Sequence, residues 1–432
     1  MLALEVIGNK KLSGDIEIAV SKNASLPIVF STLMLDGNVV LRGLPAITDI
    51  ENSYEILRSV GSRVEAYADR VCITSNQKAD TLELEQEQMQ RMRASILCAA
   101  PLLHKCNKIT VYSPGGCSIG ARPIDFHLDI LEQMGCSVFK SERKIIIEKN
   151  NKRLEGAKIV LPFPSVGATE TAIMASVLAS GKTVIQNAAM EPEVEDLCNF
   201  LKSTGAKIEG AGTDLISIQG VESLRAKKEY KPIPDRIEAM SYILISVATR
   251  SNVSFANIEP NHLSSSLEIL DKIGVKYEVT QNSKKIEIFP STNILSNLSL
   301  QTSPYPGFPT DLQPQFVSLF GVTPGSVVLQ EKIFENRLKY VDYLYKIGYN
   351  IEVDKNKVFV SGVAIENLTK EDVVLECTDL RAGAALLLAA LCKDGKTIIT
   401  NVEHMLRGYE DLVQKMQSIG AQIRIIHFKE QK

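Results

Sequence analysis

The decapeptide PGGCSIGARP at residues 114–123 sets one thiol, Cys117, among three glycines and five residues before Arg122. A nearby guanidinium favours the thiolate, the reactive form of cysteine. The stretch reads either as a reactive cysteine on a movable loop or as a small residue in a flexible connection. Other charged residues stand at positions where chemistry is possible. Lys22 in SKNASLP, Arg93 in RMRAS, Arg381 in DLRAG and Arg407 in LRGYE fall near helix starts or on connecting loops. Cations that converge with helix N-termini make a strong anion pocket. The alternative for each is solvated surface charge. Asp311 in PTDLQPQ and Asp379 in CTDLRAG precede apolar helical patterns, so both are candidate N-caps, and a carboxylate in such a place is also a candidate general base.

Several chemistries find no support. The five histidines show no metal-ligand spacing, and His127 in DFHLDI fits packing on its own helix better than a metal. The eight cysteines form no Cys-x-x-Cys pair, which argues against zinc and against a disulfide framework and suits a reducing compartment. Neither GxxxxGK[ST] nor GxGxxG stands between a strand and a helix, so Walker and Rossmann nucleotide sites are disfavoured. The net charge of −3 gives no whole-chain case for nucleic acid or an acidic membrane. The longest apolar run, AGAALLLAALC, is too short to span a bilayer, and the N-terminus lacks the apolar core of a signal peptide.

These residues must be carried by elements, and the elements repeat. A β-rich stretch recurs six times: GNVVLRGL, NKITVYS, GKTVIQNA, SNVSFANI, GSVVLQEK and GKTIITNV. Each leads into a helical pattern that ends at a glycine, then into an alternating strand. The glycines are Gly61, Gly135, Gly205, Gly274, Gly348 and Gly420, spaced 69 to 74 residues apart. A glycine past the last helical turn supplies the left-handed cap that stops a helix. A second, nearly all-apolar helix precedes each copy, and apolarity on all sides predicts burial. The chain of 432 residues therefore divides into six α/β repeats of strand, buried helix, strand, surface helix, strand, strand, in some circular order. Two compact domains of three repeats fit better than a stacked array. From β opening to glycine five copies take 23 to 25 residues, and the second, counted from Cys106 to Gly135, takes 29. The excess falls at PGGCSIGARP, and a long loop on a repeated scaffold is often functional.

Taken in order, KNASLP, MRAS, PGGCSIGARPIDFHL, PSVGATE, NAAMEPEVEDL, GAGTD, IPDRIEA, PYPGFPTDLQPQF, IFENR, DLRAGAAL and RGYE resemble the enolpyruvyl transferases that act on UDP-N-acetylglucosamine at the start of bacterial peptidoglycan synthesis. The motifs span essentially the whole chain. The resemblance implies two similar α/β domains, each of three βαβαββ-type repeats, an inside-out α/β barrel. It implies residues 22–235 as one domain, carrying the cysteine loop, and residues 1–21 with 236–432 as the other. It implies transfer of the enolpyruvyl group of phosphoenolpyruvate to the sugar 3′-hydroxyl with release of phosphate, in the cytoplasm, with no metal or cofactor and with no nucleic acid or membrane insertion. Cys117 would be the general acid toward the methylene carbon and Asp311 the base for the hydroxyl. Lys22, Arg122 and Arg407 would hold phosphoenolpyruvate. Asn23, Arg93, Arg122, Pro123, Ile124, Asp125, Phe126, Ser165, Val166 and Ile333 would line the UDP-sugar, with Arg381 another charge at the cleft. Some relatives carry lysine where this chain has Phe163, so contact to the nucleotide there becomes apolar.

Overall fold

Gly61, Gly135, Gly205, Gly274, Gly348 and Gly420 all have positive φ, between 83° and 113°, in a computed structural model that describes residues 1–75, 79–115, 119–120, 123–280, 282 and 284–428. Each ends a surface helix: Thr48–Ser59, Asp125–Gln133, Pro192–Thr204, Ser264–Ile273, Val341–Ile347 and Leu412–Ser418. Side chains other than glycine adopt this conformation at a cost, so the predicted stops are real stops.

The sheets repeat one topology. Thr81–Glu83 runs parallel to Lys108–Tyr112, Lys144–Lys149 runs antiparallel to that strand, and Cys136–Lys140 pairs outside it. The same order of parallel partner, β opening, last strand and third strand recurs in four further sheets. In the remaining one, Asn38–Arg42 has no full parallel strand among the described residues; bridges from Asp36 to Arg225 and from Leu41 to Tyr230 stand in its place. The circular order left open by the sequence is thereby fixed. Leu2–Ile7 completes the last repeat, pairing antiparallel with Lys396–Thr400 and Gln422–His427. Ser13–Glu17 opens the fourth, parallel to Asn252–Ala256.

The described chain falls into two compact units. The terminal unit joins residues 1–19, Ile119 and Gly120, and residues 234–428; the central unit holds residues 20–115 and 123–233. Each has its own apolar core. In the terminal unit the core is a three-helix centre of Arg236–Ala248, Gln313–Gly321 and Leu380–Cys392, mutually packed. Every residue of the last two helices is buried. In the central unit Lys22–Ser31, the segment Arg93–Leu103 and Val166–Ser176 play the same part. The middle one begins as a 3₁₀ turn, Arg93–Cys98, and becomes α-helical only at Ala99. Pro101 accounts for this: it lacks an N–H and its ring clashes with the carbonyl four residues back.

Candidate active site

In the central unit both ends of the cysteine loop are tied to one short segment. At the entry, the Gly115 N–H donates to the Met89 carbonyl at 3.3 Å. A Cβ on Gly115 would stand 1.7 Å from the Gln90 oxygen, so only glycine fits there. At the exit, the Arg93 guanidinium donates to the Pro123 carbonyl at 2.9 Å. Cys117 and Arg122 lie outside the described residues. Gly115→Ala is expected to cost about 1–3 kcal/mol of stability through overpacking and to lower turnover by displacing the loop entry. Denaturant midpoint and steady-state turnover measure the two, and a variant normal in both would show that the entry does not set the loop.

After the loop, Asp125–Gln133 is locked to Val166–Ser176. His127 Nδ1 lies 2.7 Å from Thr171 Oγ1, and its ring rests on Gly167, where a Cβ would stand 3.1 Å away. The expectation that His127 packs is met, and this packing brings the helix carrying Asp125 and Phe126 against the one that starts after Ser165. Ser165 caps that helix, accepting from the Ala168 N–H at 3.4 Å. Val166 opens it, while Phe163 stays 40% exposed just before it. Lys22 begins its helix behind the Ser21 cap, with Nζ 3.5 Å from the buried Asp49 carboxylate. Asn23 follows, and Pro27 supplies no N–H to bond the Asn23 carbonyl.

In the terminal unit Asp311 is gripped from two sides. Arg337 Nη2 donates to Oδ1 at 3.0 Å. Arg381 donates to Oδ2 through Nε at 3.3 Å and Nη2 at 3.2 Å. Both arginine side chains are at most 3% exposed, against 30% for Asp311. The capping expectation thus separates the two aspartates. Asp379 caps its helix, accepting from the Arg381 and Ala382 N–H groups at 2.9 and 3.1 Å. Asp311 does not cap: it lies inside the 3₁₀ turn Thr310–Leu312, and its carboxylate is drawn to the two guanidiniums instead. Burial alone would pull the Arg381 pKa down, but the Asp311 carboxylate, the Tyr409 hydroxyl and the Asp235 carboxylate outweigh it and the pKa is raised. Arg337 keeps Nε and Nη1 without hydrogen-bond partners among the described residues and lies over the Phe334 ring at 5.5 Å. Asp311 is therefore its principal compensation.

Three organisers here escaped sequence reasoning. Glu331, 2% exposed, accepts from Thr302, Ile333 N–H and Phe334 N–H on one oxygen and from Thr310 on the other. It ties the Ile333 turn to the residue before Asp311. Arg337 is the second, and Tyr409, whose hydroxyl lies 2.9 Å from Ser241 Oγ and 3.4 Å from Arg381 Nη1, is the third; the only sequence signal for them was membership of IFENR and RGYE. Arg407 follows the short helix Glu403–Leu406, and Gly408 behind it lets the chain press on Leu380, whose side chain a Cβ would meet at 2.7 Å. The surface-charge alternative fails for Arg381, which is buried, and for Lys22, whose side chain is 14% exposed. Among the described residues no cluster of His, Cys, Asp and Glu is arranged to hold a metal, and no helix is long and apolar enough to cross a membrane.

The whole of this scaffold has counterparts. The crystal structure of the enolpyruvyl transferase NikO from Streptomyces tendae matches with a TM-score of 0.88 at 24% identity, covering 98% of this chain and 99% of that one. EPSP synthase from Acinetobacter baumannii matches at 0.76 and 18%, covering 99% and 100%. The family model for EPSP synthase (3-phosphoshikimate 1-carboxyvinyltransferase) matches residues 6–416, and this chain belongs to that family of enolpyruvyl transferases. Within it, a relative from Kosmotoga olearia named UDP-N-acetylglucosamine 1-carboxyvinyltransferase is 40% identical over 428 residues, 98% of this chain and 99% of its own. One of the same name from Thermotoga maritima is 42% identical over 424 residues, 98% of each.

Proposed function

We propose that this chain transfers the enolpyruvyl group of phosphoenolpyruvate to the 3′-hydroxyl of UDP-N-acetylglucosamine with release of phosphate, the step that commits the sugar to peptidoglycan, in the cytoplasm. What carries the reading is the near-full-length match to relatives of that name. Cys117 delivers a proton to the methylene carbon of phosphoenolpyruvate, and the neighbouring carbon becomes the electrophile. Asp311 takes the proton of the attacking hydroxyl as the new C–O bond forms. The Cys117 thiolate then takes a proton back from the methyl group as phosphate leaves with the proton held by Asp311, which restores the double bond and both groups. Lys22, Arg122 and Arg407 hold the phosphate and carboxylate and stabilise charge on the leaving group. Asn23, Arg93, Pro123 to Phe126, Ser165, Val166 and Ile333 hold the UDP-sugar. The electrophile reacts with water, so a glycine-rich lid that delivers the acid and excludes solvent serves both needs.

The two fixed guanidiniums on Asp311 support the base assignment. Opposite charge nearby favours an ionised carboxylate, and two anchors hold it in one place. The discriminating experiment is phosphate release from phosphoenolpyruvate with either UDP-N-acetylglucosamine or shikimate 3-phosphate as acceptor. Release with the UDP-sugar alone is expected. Release only with shikimate 3-phosphate would move the chain to the other branch of its family, and release with neither would make it a binding protein.

A further inference from the structure

Tyr409 is buried, 2% exposed, yet its hydroxyl faces one polar side chain from each of the three central helices of the terminal unit. Ser241 Oγ stands at 2.9 Å, Arg381 Nη1 at 3.4 Å and Gln315 Nε2 at 3.5 Å. The Arg381 guanidinium also lies 5.7 Å from the centre of the tyrosine ring. Counting protons orients the network. Ser241 has one hydroxyl proton and gives it to the Ile237 carbonyl at 2.7 Å. Gln315 Nε2 is a donor, directed at Ser241 Oγ and at the Asp311 carbonyl, both 3.1 Å away. Ser241 is therefore an acceptor toward Tyr409, and the tyrosine proton points at serine. Its oxygen lone pairs are left facing Arg381 Nη1. At 3.4 Å that contact is longer than a strong hydrogen bond; ring face and lone pairs together present negative charge to one side of the guanidinium. The opposite side of the same guanidinium is the fork on Asp311 Oδ2.

We infer that Tyr409 is a positioning residue for the reaction: it sets the rotation of the Arg381 guanidinium, and through it the place and charge state of Asp311. The inference rests on the reading of Asp311 as the base. The charged and titratable groups facing this network are Arg337 and Arg381 on Asp311, Asp235 acting on both Arg381 and Tyr409, and Tyr242, whose ring lies 6.2 Å from that of Tyr409 and which couples it to the buried Glu238.

Tyr409→Phe removes only the hydroxyl oxygen. The expected result is a loss in kcat of up to about tenfold, the upper end for one ordinary hydrogen bond, with KM for the UDP-sugar unchanged. The acid limb of kcat/KM should move to higher pH, because a loosened cation stabilises the carboxylate less. Arg381→Lys keeps the charge without the fork and should move the limb the same way, which preserves the test should the phenylalanine variant fold poorly. In an Asp311→Asn background, Tyr409→Phe should cost nothing further. A variant with normal kcat and an unmoved acid limb, merely less heat-stable, would reduce Tyr409 to core packing and overturn the inference. So would a kcat loss that persists undiminished beside Asp311→Asn. Near-normal turnover in Asp311→Asn alone would overturn the base assignment and the inference with it, and that single variant tells the two failures apart.

Discussion

Cys117→Asp is expected to retain measurable transfer with its pH optimum displaced toward acid, whereas Cys117→Ser is expected to lose about 10²–10⁴-fold in kcat at every pH. The difference lies in acidity. Protonating carbon requires a donor that parts with its proton near neutrality. A carboxylic acid does so if its site raises its pKa, and it holds more of the proton as pH falls. A serine hydroxyl is far too weak an acid. An epoxide that alkylates thiolates, such as fosfomycin, is expected to inactivate the wild type and to spare both variants. Phosphate release against pH for the three proteins decides the matter. An aspartate variant as inactive as the serine one throughout would mean that sulfur's nucleophilicity is required and that proton donation is the wrong role.

The loop was found in the sequence because a repeated scaffold exposes departures from itself. Five copies of nearly one length define what a sixth should be, and 29 residues where 23 to 25 suffice stand out without any structure. Capping glycines and all-apolar helices were legible for a related reason: both are local rules, decided by residues within one or two turns. The Asp379 cap belongs to the same class, its partners lying two and three residues on. Asp311 does not. Its partners, Arg337 and Arg381, are 26 and 70 residues distant, and nothing local distinguishes it from a cap. Tyr409 meets Ser241 across 168 residues. The strand Leu2–Ile7 likewise gave no hint that it would close a sheet with residues some 400 positions away. Contacts of that range are set by the packing of whole repeats, which periodicity reveals only up to circular order.

Asp311→Asn is expected to lower turnover by two orders of magnitude or more, the usual scale for losing a general base, and to destabilise the protein as well. The second effect follows from the geometry. A carboxylate gives each arginine an oxygen; an amide has one oxygen and one NH₂ group, so either Arg337 or Arg381 must face a donor. Both guanidiniums are buried, and Arg337 has no other hydrogen-bond partner for Nε and Nη1 among the described residues. Stranding part of that charge should cost about 1–3 kcal/mol, below the cost for a fully buried pair because Asp311 is itself 30% exposed. Kinetics and stability must therefore be read separately. Turnover is measured well below the melting transition, with near-ultraviolet circular dichroism showing that the variant is folded. Arg337→Met supplies the control, since it breaks the same ion pair while leaving the carboxylate and the Arg381 fork. If Asp311 acts as base, the asparagine variant should be far slower than the methionine variant at comparable stability. Equal rates in the two would assign the loss to the broken clamp, and Asp311 would then hold arginines in place and take no proton.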